Sequence, residues 1–342
     1  MQDTTKQARA MNDQIVQWRR ALHQIPELGF ETPRTEQFIL ERLSTFGVDE
    51  IRHGNGKRGI VALIKGGKPG KVLGIRADYD ALNMTEDTGL PFASTNGNMH
   101  ACGHDAHAAI LLATAKILAE NKKDLQGTVK LLFQPSEENG KGAPAMIEDG
   151  VLDAPALDGI IGLHTGNLWK GVTAGEAGYR FGAIMAAADW FTVTFNGKGG
   201  HGATPHLTVD PVTMACQAVS AMQLIVSRET SPLESGVVTV GTIQGGTMPN
   251  IIAPSCTIAG TLRSLSPETR KKLGERVREI CEGTAKTLGG TADVSFTYGP
   301  PPLINDKAMT EKLKAAMEDV LGADKVREVA EPTMGGEDMA FF

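Results

Sequence analysis

Four short apolar runs, at residues 59–64, 72–77, 128–133 and 159–163, constrain the fold of this chain more than any other feature. Each reads as a buried strand. Helix-patterned stretches alternate with them. Residues 6–22 carry Ala10, Ile15, Trp18 and Leu22 near one stripe. A second helix opens at Thr32-Pro33, residues 106–118 form a strongly apolar helix, and a short one begins at 143–146. Such alternation predicts an α/β layer built on a mixed, largely parallel sheet. The Gly/Lys/Pro turn at 66–70 predicts that the first two strands pair with each other.

Residues able to carry chemistry stand at the ends of these runs. Asp78 and Asp80 follow Ala77, Glu137 and Glu138 follow Phe133, and His164 follows Leu163. Sites in open α/β sheets gather beyond the carboxyl ends of the strands. The scattered segments are therefore expected to meet, and Cys102-Gly103-His104 is expected to join them.

Cys102 and His104 flank one glycine, a spacing that lets a thiolate and an imidazole close on one ion from a tight loop. A buried thiol beside a helix-capping histidine is the plainer alternative. His107, one turn further on, reads better as a bracing histidine than as a ligand. Adjacent carboxylates at a strand end repel each other, and a nearby cation would compensate them. Neighbours on an extended chain point different ways, so Glu138 is assigned to a metal and Glu137 to the attacking water. His164 alone would be a packed core residue and becomes a ligand only in company with the others. Asp78 and Asp80 could cap a turn or orient a ligand.

From about Ala187 the pattern changes. A strand at 191–195, a helix opening at Asp210-Pro211, strands at 237–243 and 256–263, a helix capped by Ser266-Pro267-Glu268 and a last strand near 292–297 follow in βαββαβ order. This predicts a ferredoxin-like domain at 187–298 inserted into a catalytic domain made of 1–186 and 299–342. Within it His201 lies in a glycine-rich loop, Asn250 follows Gly245-Gly246-Thr247-Met248-Pro249, and Arg263 ends a strand. Each could meet a substrate, Arg263 by gripping a carboxylate in bidentate fashion, or could simply be surface.

Composition narrows the partners. A net charge of −6 with no run of Lys or Arg speaks against nucleic acid and anionic membranes. The first twenty residues lack the apolar core of a signal peptide, and nothing is long enough to span a bilayer, so a cytoplasmic setting is expected. Four cysteines are too sparse for a disulfide framework, and Cys216, Cys256 and Cys281 read as buried free thiols.

Taken in order, the segments 75–82 (IRADYDAL), 99–107 (MHACGHDAH), 133–142 (FQPSEENGKG), 162–164, 197–206 (GKGGHGATPH), 245–250, 260–263 and 335–338 resemble the aminoacylase-type metallopeptidases. The likeness is to the amidohydrolase branch that contains hippurate hydrolase and indoleacetyl-amino-acid hydrolase. It implies a catalytic α/β domain carrying two divalent ions, with Cys102, His104, Glu138 and His164 as ligands and Glu137 as general base. Asp80 would orient the metal site. A smaller lid domain that often mediates dimers would send His201 and Asn250 to the active site of a partner subunit, and Arg263 would hold the substrate carboxylate. The implied substrate is a small N-acyl amino acid, N-acetyl or N-benzoyl for example.

Thiolate and imidazole donors suit zinc, and manganese, nickel and cobalt stay open. Asn83 stands where many relatives have proline. No histidine follows His206, whereas relatives usually supply a final metal-binding histidine near the end, so a C-terminally incomplete catalytic domain is expected. The competing readings are an inactive metal-binding scaffold or truncated relative, a metallodipeptidase, and a thiol enzyme using Cys102 with His104 or His107 as base.

Overall fold

The structure is a computed structural model that describes residues 3–53, 58–166 and 168–342. Contacts divide the chain into two compact units. One comprises Met1–Ala177, Lys312–Arg327 and Phe341–Phe342, the other Gly178–Glu311 and Glu328–Ala340. The segment 187–298 lies inside the second unit, which extends past it on both sides.

The first unit is built on five strands: β1 (Glu50–His53), β2 (Ile60–Lys65), β3 (Lys68–Asp78), β4 (Gln126–Gln134) and β5 (Gly159–Gly162). Their order is β1-β2-β4-β3-β5. β1, β2 and β4 pair antiparallel, while β3 runs parallel to both β4 and β5, so the sheet is mixed. The predicted direct pairing of β2 with β3 does not occur, because β4 lies between them. The 66–70 turn instead runs against the chain entering β4. A Cβ added at Gly66 would come within 2.3 Å of the Leu125 carbonyl oxygen, so glycine is needed for that close approach.

Alternation along the strands distributes side chains to two faces. Ile60, Ala62, Ile64, Val129, Leu131 and Phe133 join the larger core, with Leu22, Ile39, Leu43 and Leu112 from the helices. Val61, Leu63 and Leu132 point the other way, onto Met146 and Val151. The helices are α1 (Thr4–Ala10), α2 (Asn12–His23), α3 (Pro33–Leu43), α4 (His104–Glu120) and α5 (Gly142–Glu148). The single helix expected at 6–22 is two, with Met11 between them closing α1 through bonds to Gln7 and Ala8. α4 is apolar on most sides because it is buried on most sides, as a helix inside an α/β layer must be.

In the second unit, strands Ala187–Asn196, Gly236–Gly245, Ser255–Ser264 and Thr291–Tyr298 form an all-antiparallel sheet. Numbered one to four along the chain, they lie in the order 2-3-1-4, the ferredoxin-like arrangement. Helices Pro211–Leu224 and Pro267–Thr287 cover it, capped by the side chains of Asp210 and Ser266. Cys256 and Cys281 are buried as expected, but Cys216 is exposed. The buried stripe of its helix is Met214, Ala215, Ala218 and Met222, and Cys216 lies off it. Among the described residues, no helix is long and apolar enough to cross a membrane.

Candidate metal centre

Because β3, β4 and β5 are parallel, their carboxyl ends share one edge of the sheet. Asp78, Gln134 and Gly162 end there, and the residues just beyond them converge. Among the described residues of the first unit, three overlapping groups have donor atoms within 4.8 Å of one another: Cys102, His104 and His164; Asp78, His104 and His107; and His104, Glu137 and Glu138. His104 belongs to all three.

His104 opens α4 and is fully buried. Its Nδ1–H donates to the Asp80 carbonyl oxygen at 3.0 Å, which fixes the tautomer and turns Nε2 toward the cluster. Nε2 has no hydrogen-bond partner among the described residues, although carboxylate oxygens of Asp78, Glu138 and Glu137 stand 3.5, 3.9 and 4.0 Å away. A buried ring nitrogen left without a bond and ringed by acids fits a cation. Burial would lower the His104 pKa, but Asp78 and Asp80 outweigh it and hold it well above its usual value. The same strongly negative field would favour a divalent ion.

Gly103 joins the two ligand candidates with φ +92°, and a Cβ there would meet Thr165 Oγ1 at 2.8 Å. This left-handed turn brings Cys102 Sγ to 3.4 Å from His164 Nε2. His164 donates its Nδ1–H to the Thr165 carbonyl oxygen at 2.6 Å, so that Nε2 is again the nitrogen turned inward.

Asp80 is 1% exposed, and its carboxylate accepts the backbone N–H of Glu137 at 3.1 Å and that of Glu138 at 3.2 Å. The aspartate thereby ties the end of β3 to the turn after β4. Glu137 and Glu138 do not sit on extended chain as expected. They occupy a turn closed by Gly140 N–H on the Glu137 carbonyl, preceded by Ser136 at φ +62°. Both carboxylates consequently face His104, and distance alone does not separate a base from a ligand.

A buried relay supports these groups. Arg76 donates from Nε to Gln134 and from Nη1 to Asp78 at 2.7 Å. The other oxygen of Asp78 takes the His107 Nδ1 proton. His107 Nε2 accepts the Thr165 N–H at 2.8 Å. With both ring nitrogens engaged by protein, His107 braces the backbone beside His164. Burial would raise the Asp78 carboxyl, yet Arg76, His104 and His107 hold it well below the usual carboxylate range. Sequence reading gave Asp78 only a generic role and missed Thr165 and Arg76. The one available signal was a charged residue, Arg76, inside an apolar strand.

In the second unit, His201 and Asn250 come together. Ile251 pairs with His201 across a short antiparallel ladder, and Gly202 N–H donates to the Asn250 carbonyl oxygen at 2.8 Å. His201 Nδ1 accepts the Ala203 N–H at 3.0 Å, which leaves the ring proton on Nε2 in the neutral form. Arg263 lies one residue from the end of its strand, its guanidinium 5.6 Å from the centre of the Trp190 ring.

A donor cluster of thiol, imidazoles and carboxylates at the carboxyl edge of a mixed α/β sheet has the make-up of a metal centre. The chain belongs to the peptidase family M20/M25/M40, whose family model matches residues 74–342. It is 41% identical over 334 residues to an N-acetyl-L-cysteine deacetylase of Bacillus subtilis, covering 97% of this chain and 78% of that protein. It is 40% identical over 293 residues to an N-acyl-L-amino acid amidohydrolase of Geobacillus stearothermophilus, covering 85% and 78%. Among solved structures it resembles the Bacillus subtilis YXEP protein, a dinuclear metal binding peptidase. The TM-score there is 0.84 at 33% identity, over 97% of this chain and 86% of that one. This chain is accordingly a metal-dependent hydrolase acting on amides, and the thiol-enzyme reading, with its metal-free Cys102 nucleophile, is set aside.

Proposed function

We propose that this protein hydrolyses the amide bond of N-acyl amino acids, using two divalent ions held by Cys102, His104, Glu138 and His164. The reading is supported above all by the Asp80 carboxylate, which binds the backbone of both glutamates beside the unbonded His104 Nε2. The relatives' names, deacetylase and amidohydrolase among them, point to the same substrate class. When bound, divalent ions polarise an amide carbonyl and acidify water.

The protein's own work is proton transfer and positioning. Glu137 takes a proton from the attacking water and hands it to the departing amine nitrogen as the carbon–nitrogen bond breaks. Asp80 holds the Glu137 backbone during both transfers. With Nδ1 accepting the Ala203 N–H, His201 presents an Nε2–H, the donor that a developing oxyanion requires. We assign His201 and Asn250 to the active site of a second copy in a homodimer, and Arg263 to the substrate carboxylate. Four free thiols accord with a cytoplasmic setting.

Glu137→Gln separates this reading from the inactive scaffold. General-base loss is expected to lower kcat by about 10²–10⁴-fold, with metal content unchanged. Undiminished hydrolysis of N-acetyl and N-benzoyl amino acids by that variant would overturn the base assignment. An unsubstituted chain that binds metal but cleaves no member of an N-acyl amino acid panel would favour the scaffold.

A further inference from the structure

One buried imidazole has no part in the chemistry above. His23 closes α2 and is 2% exposed. Its Nδ1 lies 2.8 Å from Asp105 Oδ2, and its Nε2 lies 3.1 Å from Glu86 Oε1. An ionised carboxylate only accepts, so both ring nitrogens must donate and the ring is an imidazolium. The same contacts lift the His23 pKa, the Asp105 bond most, against the opposing effect of burial. Arg19 Nε adds a second cation 2.6 Å from Asp105 Oδ2.

The two carboxylates belong to segments that must cooperate at the metal centre. Asp105 is the second residue of α4, directly after His104. Glu86 lies in the segment 83–103, which has no helix or strand and delivers Cys102. Glu86 gathers that segment by accepting the Ser94 N–H at 2.6 Å and the Thr88 hydroxyl. Phe92, from the same stretch, packs edge-on to the His23 ring at 5.6 Å. Beyond it, paired bonds of 3.0 Å between Leu82 and Met99 anchor the return toward Cys102.

We propose that His23 is a positioning residue for the metal centre, a charged clasp joining Glu86 to Asp105 that sets Cys102 against His104. The inference rests on the reading of Cys102 and His104 as metal ligands. It asks of His23 what outer partners of metal sites usually do, orienting ligands without touching the ion.

Cobalt(II) tests it, since a thiolate ligand gives bound cobalt a sulfur-to-metal charge-transfer band. The full chain and its variants His23→Ala, His23→Gln and Glu86→Gln would be titrated with cobalt against a competing chelator, and their spectra recorded at saturation. The unsubstituted protein should show the band. His23→Ala should weaken cobalt binding by about 10–100-fold, the usual range for outer partners, and diminish or shift the band per bound ion. Glu86→Gln should act in the same direction, and His23→Gln, with a single amide donor group, should fall between. A change in the saturated spectrum separates positioning from mere loss of stability, which would lower affinity alone. If His23→Ala does not fold, His23→Gln and the isosteric Glu86→Gln carry the test. Affinity within about twofold of the unsubstituted protein in all of them, with an unchanged band, would overturn the clasp alone. No band in the unsubstituted protein would overturn the Cys102 assignment, and the clasp with it.

Discussion

At the scale of single residues, the site depends on groups that touch no substrate. Asp80→Ala removes the acceptor for two backbone N–H groups, and each buried donor left unpaired costs about 1–3 kcal/mol. The expected result is a looser Glu137–Glu138 turn, read as weaker metal binding by calorimetry together with a lower kcat. Full metal affinity in that variant would show that the turn holds without Asp80. Gly103→Ala meets two penalties, a left-handed backbone worth roughly 1–2 kcal/mol and a clash with Thr165 Oγ1. It should lower the melting temperature and also separate Cys102 from His164. The sequence marked Gly103 as the pivot of a tight loop and, through the family resemblance, Asp80 as an orienting residue, but it could not show that Asp80 works by binding backbone, because a carboxylate that binds backbone looks the same as one that binds solvent.

At the scale of elements, the parallel run of β3, β4 and β5 does most of the assembling, and the segment 83–103 depends on side chains instead. Its pH response follows from the clasp. Burial would raise the Glu86 carboxyl, but bonds from Thr88, Ser94 and His23 outweigh it and hold it down to about 2. A depressed carboxylate contributes stability fully above its ordinary value of 4.5 and loses it as the pH falls through its folded value. His23, raised above 6.5, contributes fully below that value and loses its share as the pH rises through the raised one. The gap in melting temperature between the unsubstituted protein and Glu86→Gln should therefore be widest near pH 5–6 and narrow toward both acid and alkali. A gap that stays constant from pH 3 to pH 9 would contradict this account. Strand and helix types were legible in these elements from periodicity, whereas neighbours were not. The glycine-rich turn between β2 and β3 looked like a hairpin, and only the long-range pairing with β4 opened it.

At the scale of the whole molecule, metal and fold are linked. An ion that binds only the folded state adds about 2.7 kcal/mol of stability at a hundredfold excess over its Kd. Exhaustive chelation should accordingly lower the melting temperature, and restoring zinc or manganese should raise it with a dependence on metal concentration. Amide exchange should slow on metal addition at the start of α4 and beyond the ends of β3, β4 and β5. A melting temperature indifferent to chelator and to added metal would count against a metal bound to these residues. The second unit has its own core around Phe191, Val193, Ile258 and Val277. Its helices and strands were legible because both periodicities are clean there and Asp210 and Ser266 cap the helix starts.

Sequence by itself determined the α/β class, the ferredoxin-like order of the second unit and the identities of the metal-binding candidates. These are properties of local patterning and donor chemistry, which a chain carries whatever its final packing. Tertiary structure alone decided that β4 separates β2 from β3, that both glutamates share a turn held by Asp80, and that Asp78 and Thr165 are the groups His107 braces while His104 keeps a ring nitrogen unbonded. Those outcomes depend on hydrogen bonds between residues tens of positions apart. A bond such as that from His107 to Asp78 exists only after the sheet has brought its strand ends to one edge.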